Sequence, residues 1–131
     1  MKAEFNIAVQ ALCLLAEKGR LLNSEYIARE IDTNSVRVRN VLRKLSDKGY
    51  VEAIRGVKGG YRLQVDPKHI SLGSLMDLIE VKPFKLRDGS RRGKASMEDI
   101  SKKIYQKINQ AAYRELDKIS LYEVQQELFS E

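Results

Sequence analysis

Cysteine and histidine are nearly absent from this chain of 131 residues, which contains one of each, Cys13 and His69. A single cysteine cannot form an intrachain disulfide, which fits a protein of the reducing cytoplasm. Cys13 lies in an apolar helical segment, where a buried and inert thiol is expected, and His69 lies in a predicted loop. No His, Asp or Glu spacing is typical of a zinc or hydrolytic site. The sequence therefore argues against an enzyme and predicts no metal and no cofactor.

Long apolar runs and export signals are also missing. No stretch approaches the ~18 consecutive apolar residues that a membrane span requires. The first residues, Met1-Lys-Ala-Glu-Phe-Asn6, lack a charged region followed by an apolar run and a cleavage site. The length is ordinary for one domain with a modest core. We therefore expect a cytoplasmic protein that has no membrane partner.

The chain does have a concentrated basic charge. Its net charge is +6, and residues 29–62 hold nine basic and four acidic side chains. Residues 82–94 hold six basic and one acidic, while the remaining segments are neutral or acidic. Lysine and arginine clustered in this way are typical of a surface that binds nucleic-acid phosphates. A generally basic surface would spread the charge more evenly.

Apolar residues at three- and four-residue spacing predict three helices in the first fifty residues. A three-residue break separates the second helix from the third, and a glycine follows the first and the third. Either of two polar residues could cap the second helix, and the same holds for the third. The predicted helices are Glu4 to Lys18, Ser24 to Ile31 with Asn23 or Ser24 as cap, and Ser35 to Lys48 with Asn34 or Ser35 as cap.

Residues 50–64 then predict a β-hairpin with a glycine-rich turn. Its strands are expected to pair Val51, Ala53 and Ile54 with Tyr61, Leu63 and Val65. The turn does not have the residue order of a phosphate-binding P-loop, and no helix follows it. Helix, tight turn, helix and basic β-wing is the layout of a winged helix-turn-helix, which inserts one helix into the DNA major groove. The predicted fold is mainly α with a small β-wing.

The third helix carries the side chains that are expected to read base edges. Arginine suits guanine and asparagine suits adenine, so Arg37, Arg39 and Asn40 are the candidate base readers. Arg43 and Lys44, one turn later, are expected to bind phosphate. The alternative is that these residues form only a solvated helix face. In the wing, Arg55, Lys58 and Arg62 surround Gly56, Gly59 and Gly60, and glycines allow close approach to DNA.

The C-terminal part predicts three further helices. Ser71 caps a short helix whose inner residues run from Leu72 to Ile79, and a basic flexible loop is expected over 82–95. Ser96-Met-Glu-Asp99 resembles a capping box that begins the longest helix, which runs to about Ile119 and is roughly 35 Å long. A second capping box, Ser120-Leu-Tyr-Glu123, begins a short final helix. This pattern predicts a winged-helix domain at 1–81, the loop at 82–95 and a dimerisation segment at 96–131.

One side of the longest helix is apolar, with small residues near its centre. Such a stripe is typical of helix-against-helix dimerisation. Packing of this helix on its own domain is the alternative, and periodicity does not decide between the two. The stripe consists of Ile100, Ile104, Ile108, Ala111, Ala112, Leu116 and Ile119.

Several motifs together resemble one family. They are Ala11-Leu12-x-x-Leu15-Ala16, Ser24-Glu-x-Ile-Ala28, Val41-Leu-x-x-Leu45, Ile70-Ser-Leu-x-x-Leu75 and, above all, Ile54-Arg-Gly-Val-Lys-Gly-Gly-Tyr-Arg-Leu63. The chain resembles the winged-helix regulators that include IscR, NsrR and CymR, and the resemblance covers nearly its whole length. The Arg-Gly-x-x-Gly-Gly-Tyr wing is the most specific part.

The resemblance implies a homodimer with crossed C-terminal helices, bound to palindromic double-stranded DNA. It also implies DNA contacts at the start of the third helix and in the wing. The full candidate set is Asn34, Ser35, Arg37, Arg39, Asn40, Arg43, Lys44, Arg55, Gly56, Lys58, Gly59, Gly60, Tyr61 and Arg62. Iron–sulfur members carry three cysteines in the loop before the long helix, whereas residues 82–94 contain neither cysteine nor histidine. The chain therefore resembles the cluster-free branch.

Two functions compete at this point. The first is a sequence-specific, dimeric transcriptional regulator, expected to be a repressor. The second is a protein-interaction adaptor that kept the winged-helix fold but does not read an operator. The basic third helix and the complete wing favour the regulator. Without a cluster, its signal would come from an unidentified small ligand, a protein partner or the protein level.

Overall fold

The computed structural model describes residues 3–79 and 95–130. Most of the basic loop predicted at 82–95 lies outside these ranges. Helix bounds in the N-terminal half agree with the predicted ones to within one residue. The elements are α1 (Ala3–Lys18), α2 (Ser24–Glu30), α3 (Ser35–Asp47), β1 (Val51–Ile54), β2 (Gly60–Leu63), a 3-10 helix (Pro67–His69), α4 (Leu72–Leu78), α5 (Ala95–Asp117) and α6 (Leu121–Phe129).

Asparagine side chains cap the helix-turn-helix. Asn23 Oδ1 accepts a hydrogen bond from the Tyr26 amide at 2.8 Å, and Asn34 Oδ1 accepts one from the Arg37 amide at 2.9 Å. Each bond satisfies an amide that has no partner within its own helix. Between the two helices Asp32 has a φ of 56°, a left-handed conformation that aspartate adopts more readily than most residues. The caps and this turn fix the direction in which α3 leaves α2.

Helix α3 is amphipathic, and its buried stripe anchors it to α1 and α2. Val38, Val41, Leu42 and Leu45 are 0–1% exposed, as their spacing predicts. Fully burying an aliphatic side chain of this size stabilises a fold by about 1.5–3 kcal/mol. The stripe therefore holds α3 firmly and turns its basic face to solvent.

The wing is a two-stranded antiparallel sheet. The two predicted strands do pair: Val51 lies opposite Leu63, Ala53 opposite Tyr61 and Ile54 opposite Gly60. The predicted pairing of Val65 is wrong, because β2 ends at Leu63 and the chain then enters the 3-10 helix. The wing is tied to the rest of the domain by two backbone hydrogen bonds, of 2.8 and 2.9 Å, between Leu22 and Tyr61.

Gly60 is required for this attachment. A Cβ at position 60 would lie 2.5 Å from the Leu22 carbonyl oxygen, and the φ of +154° is one that other residues rarely adopt. The backbone of β2 can therefore approach the α1–α2 connection only because residue 60 lacks a side chain.

The C-terminal helices differ in part from the prediction. Helix α5 begins at Ala95, one residue before the predicted cap Ser96, and ends at Asp117, before Ile119. The second capping box is confirmed, since Ser120 and Glu123 exchange side-chain hydrogen bonds with each other's amides. None of the described helices is both long enough and apolar enough to cross a membrane.

Helix α6, which was predicted to belong with the dimerisation segment, packs against α1. Its first residue, Leu121, is fully buried, and its amide donates to the Ile70 carbonyl at 2.7 Å. The Leu72 amide donates to the Ile119 carbonyl at 2.9 Å, next to the first hydrogen bond. The chain around 119–121 is therefore joined to the start of α4 as well as to the core.

Candidate nucleic-acid interface

A groove of about 740 Å³ lies between α3 and the wing, and we call it the recognition groove. Its walls come from the outer face of α3, from the wing turn and from the first residues of α2. Eight of the fourteen candidate DNA-binding residues line it: Arg39, Asn40, Arg43, Arg55, Gly56, Gly59, Gly60 and Tyr61. Residues far apart in sequence thus meet on one basic surface.

The base-reading candidates face outward from α3. Arg37, Arg39 and Asn40 are exposed, because the buried positions of this helix face α1 and α2. Arg39 Nη1 donates a hydrogen bond to Ser24 Oγ at 3.4 Å, and Ser24 itself is 8% exposed. Arg39 therefore extends from α3 across the recognition groove towards the beginning of α2.

Six candidates do not line the recognition groove: Asn34, Ser35, Arg37, Lys44, Lys58 and Arg62. Asn34 has a structural role as the cap of α3, and Ser35 and Arg37 lie in the first turn of that helix. Lys58 is exposed in the wing turn. These six residues therefore lie outside the recognition groove.

Lys44 and Arg62 are each paired with a carboxylate. Lys44 Nζ lies 2.9 Å from Glu4 Oε2, and Arg62 Nη2 lies 3.1 Å from Glu52 Oε2. Both pairs are exposed, and such pairs contribute about 0–1 kcal/mol to stability. Either cation can therefore exchange its carboxylate for a phosphate at small cost.

The structure also adds residues that sequence reasoning did not select. Asn23, Ser24 and Glu25 line the recognition groove beside Arg39. Val36 is 55% exposed in the first turn of α3, and Val57 is fully exposed at the wing turn. Apolar side chains in these positions suit contact with a thymine methyl group. Val36 could have been found from sequence, because it lies outside the buried stripe of α3.

The apolar stripe of α5 divides into two parts. Ile100, Ile104 and Ile108 are 58%, 51% and 38% exposed. Leu116 and Ile119 instead pack, half-buried, against the protomer's own core. Between them Ala111 is exposed and Ala112 is half-buried. Among the described residues, the large apolar side chains of the stripe that are exposed thus lie in its N-terminal part.

The only cysteine of the chain is not available for ligand chemistry in this fold. Cys13 is fully buried in α1, and burial raises the pKa of its thiol to about 12. Its Sγ lies 3.9 Å from the Leu121 carbonyl oxygen. Within residues 3–79 and 95–130, no three His, Cys, Asp or Glu side chains are grouped in a way that could hold a metal ion.

Comparison with known proteins confirms the family resemblance. Residues 1–127 match the family model described as "Rrf2: Iron-dependent Transcriptional regulator". The chain is similar to the HTH-type transcriptional regulator NsrR of Bacillus subtilis (strain 168), with 32% identity over 77 residues. That match covers 59% of this chain and 53% of NsrR, so the chain spans about half the length of this relative.

Solved structures share the fold. The protein resembles T. potens IscR with a TM-score of 0.74 and 21% identity, over 98% of this chain and 87% of that one. It resembles CymR (YrzC), the global cysteine regulator of B. subtilis, with a TM-score of 0.68 and 19% identity, over 95% of both chains. Since the family model spans residues 1–127, the protein belongs to the Rrf2 family, whose members are DNA-binding transcriptional regulators and not enzymes.

Proposed function

We propose that this protein is a cytoplasmic, homodimeric repressor that reads a palindromic DNA site and holds no iron–sulfur cluster. The observation that carries the proposal is the recognition groove, in which α3 and the wing present Arg39, Asn40, Arg43 and Arg55 together. A surface of this kind combines base-edge readers with phosphate binders, as sequence-specific binding requires.

In the proposed complex, α3 enters the major groove. Arg39 and Asn40 form paired hydrogen bonds with base edges, while Arg43 binds a backbone phosphate. Arg55, at the start of the wing turn, approaches the neighbouring minor groove or its phosphates. The buried stripe of α3 supports this role, because a reading helix that is already fixed loses little conformational entropy on binding.

The exposed isoleucines of α5 support the homodimer. Ile100, Ile104 and Ile108 would pack against the same residues of a second protomer, as a two-fold interface requires. Two copies of α3 would then meet two half-sites of opposite orientation, which gives the palindrome. Repression is proposed because a dimer bound to a site that overlaps a promoter would exclude the polymerase.

The family description says "Iron-dependent", but the residues present do not fit an iron–sulfur cluster. Iron–sulfur clusters are held chiefly by several cysteine thiolates. This chain has one cysteine, which is buried and has a pKa of about 12, and residues 82–94 contain neither cysteine nor histidine. We therefore derive no function from a cluster and assign the control of DNA binding to another signal.

The absence of a cluster is testable on the purified protein. After anaerobic purification and incubation with iron and sulfide, we expect a colourless protein with no bound iron, because one buried thiol cannot replace a set of thiolates. DNA affinity should be the same before and after the treatment. Stoichiometric iron with a cluster absorption band that alters DNA affinity would overturn this part of the proposal.

Base reading is tested by three alanine variants of α3. Arg39→Ala and Asn40→Ala should each relax base preference at one position of the site, at about 1–3 kcal/mol per lost bidentate contact. Lys44→Ala, the matched control, should weaken all sequences to a similar extent, since a phosphate contact carries no base information. The measurement is selection of binding sites from random duplex DNA for each variant. Identical preference profiles for the three proteins would exclude α3 as the reading helix.

The same selection separates the regulator from the adaptor. A regulator should enrich one palindromic motif and shift the DNA upstream of its own gene in a salt-sensitive manner. An adaptor that retains only the fold should enrich no motif. Enrichment of a motif without two-fold symmetry would retain DNA reading but contradict the proposed dimer arrangement.

A further inference from the structure

A second groove, of about 610 Å³, lies on another side of the wing, between α1, β2, the 3-10 helix and α6. We call it the α1–α6 groove. Its apolar lining includes Leu15, Leu63 and Pro67, and the ring of Tyr122 stands beside them. A surface of flat and aliphatic groups suits a small planar organic molecule.

The rim of the α1–α6 groove is basic. Arg20, Arg62 and Lys68 line it, with Asp66 as the only acidic side chain among the lining residues. Arg62 is paired with Glu52, but in the described part of the chain neither Arg20 nor Lys68 has a carboxylate within ion-pair distance. Asp66 is engaged as the cap of the 3-10 helix, where Oδ1 accepts from the Lys68 amide at 2.9 Å. An anionic group would therefore find unpaired cations here.

The two unpaired cations are held against aromatic rings. The Lys68 ammonium lies 4.8 Å from the centroid of the Tyr122 ring, and the Arg20 guanidinium lies 5.5 Å from that of Tyr26. Cation–π contacts restrict the side chains without neutralising their charge. A ligand carboxylate could thus pair with cations that are already positioned.

Gln125 supplies a separate indication of a ligand. Its side chain lines the α1–α6 groove and is 9% exposed. The amide nitrogen donates to Glu17 Oε2 at 3.3 Å, whereas Oε1 has no hydrogen-bond partner among the described residues. A buried acceptor left without a donor costs about 1–3 kcal/mol, and a ligand N–H or O–H would satisfy it once the Gln125 side chain turns Oε1 towards the groove.

We propose that the α1–α6 groove binds a small aromatic carboxylate that carries an N–H or O–H donor. The carboxylate pairs with the basic rim, the ring lies on the apolar lining, and the donor bonds to Gln125 Oε1. The groove lies between α6 and β2, and β2 carries Arg62. We therefore expect a bound ligand also to alter the position of the wing. This last step rests on the proposed DNA-binding function, and the binding step does not.

Indole-3-acetate is a suitable probe, since the chain contains no tryptophan and the indole fluorescence comes from the ligand alone. Titration of the full protein without DNA should give saturable binding, followed by fluorescence anisotropy, with Kd on the order of 1 mM or tighter. Indole-3-acetamide, which lacks the charge, and 1-methylindole-3-acetate, which lacks the donor, should each bind several-fold more weakly. Absence of saturation, or equal binding of the acid and the amide, would overturn the proposal.

Variants locate the site. Arg20→Gln and Lys68→Gln should each weaken indole-3-acetate several-fold, whereas Lys118→Gln, an exposed lysine that does not line the groove, should not. Gln125→Met should weaken indole-3-acetate but not its 1-methyl analogue, because only the former donates to Oε1. If the Gln125 variant does not fold, Arg20→Gln and Lys68→Gln still test the site. An affinity for indole-3-acetate that is unchanged in both variants would refute it. If saturating indole-3-acetate leaves the DNA affinity of the wild-type protein unchanged, the proposed effect on the wing is refuted, but ligand binding is not.

Discussion

Ile108→Asp should turn the protein into a soluble monomer that has lost most of its affinity for DNA. In the proposed dimer, the substitution would bury an unpaired carboxylate in the seam between two α5 helices, which carries a high desolvation cost. Ile108 is 38% exposed within the protomer and is not a member of its buried core, so the protomer itself should still fold. Light scattering should therefore report half the wild-type mass, with an unchanged helical circular dichroism spectrum.

The monomer should lose DNA affinity because its DNA-binding surface is no longer joined to that of a second protomer. Joined half-site binders gain about 10²–10⁴ in affinity over single ones, and the monomer forfeits that gain. Gln106→Asp is the matched control, because it adds the same charge to the same helix at an exposed position roughly opposite to Ile108. A dimeric Ile108→Asp protein would show that the interface lies elsewhere, and equal effects of the two variants would show that charge on α5, not burial, is responsible.

The helices could be predicted from the sequence because the spacing of apolar residues in each one shows which of its faces is buried. The buried stripe of α3 appears as Val38, Val41, Leu42 and Leu45 at helical spacing, and these four residues are inside. The two strands of the hairpin followed from alternation and the glycine-rich turn, except that β2 ends at Leu63 and does not include Val65. Neither prediction needed knowledge of a distant residue.

Contacts between distant residues could not be predicted in this way. Lys44 and Glu4 are 40 positions apart, and their ion pair depends on the packing of α3 against α1. The same holds for Gln125 and Glu17, which are 108 positions apart. The sequence therefore predicted that the basic candidates lie on the surface. It could not predict which of them line the recognition groove, which form ion pairs and which line the α1–α6 groove.

The stripe of α5 shows the same limit within one helix. Its period is continuous from Ile100 to Leu116, yet its two ends have different partners. Leu116 lies on the protomer's own core, while Ile100 remains exposed. Periodicity shows that a face is apolar. Only the folded structure shows which part of that face packs against the protomer's own core.

DNA binding should fall steeply as salt rises. Lys44 and Arg62 can leave their exposed carboxylate partners at small cost, and Arg43 and Lys58 have no ion-pair partner among the described residues. A dimer that neutralises about 6–8 phosphates with these side chains should lose about three to four orders of magnitude in affinity between 50 and 200 mM salt. Gel shifts or fluorescence anisotropy over this range measure the slope of log K against log salt.

Single variants assign that slope to residues. Arg43→Ala removes one phosphate contact from each protomer, so the magnitude of the slope should decrease by about two for the dimer. Lys118→Ala is the control, because Lys118 lies after α5 and is paired with Glu115 at 3.1 Å, and it should leave the slope unchanged. If wild-type binding barely responds to salt, the basic face of α3 and the wing does not contact phosphate. If the two variants change the slope equally, the effect reflects net charge and not the proposed interface.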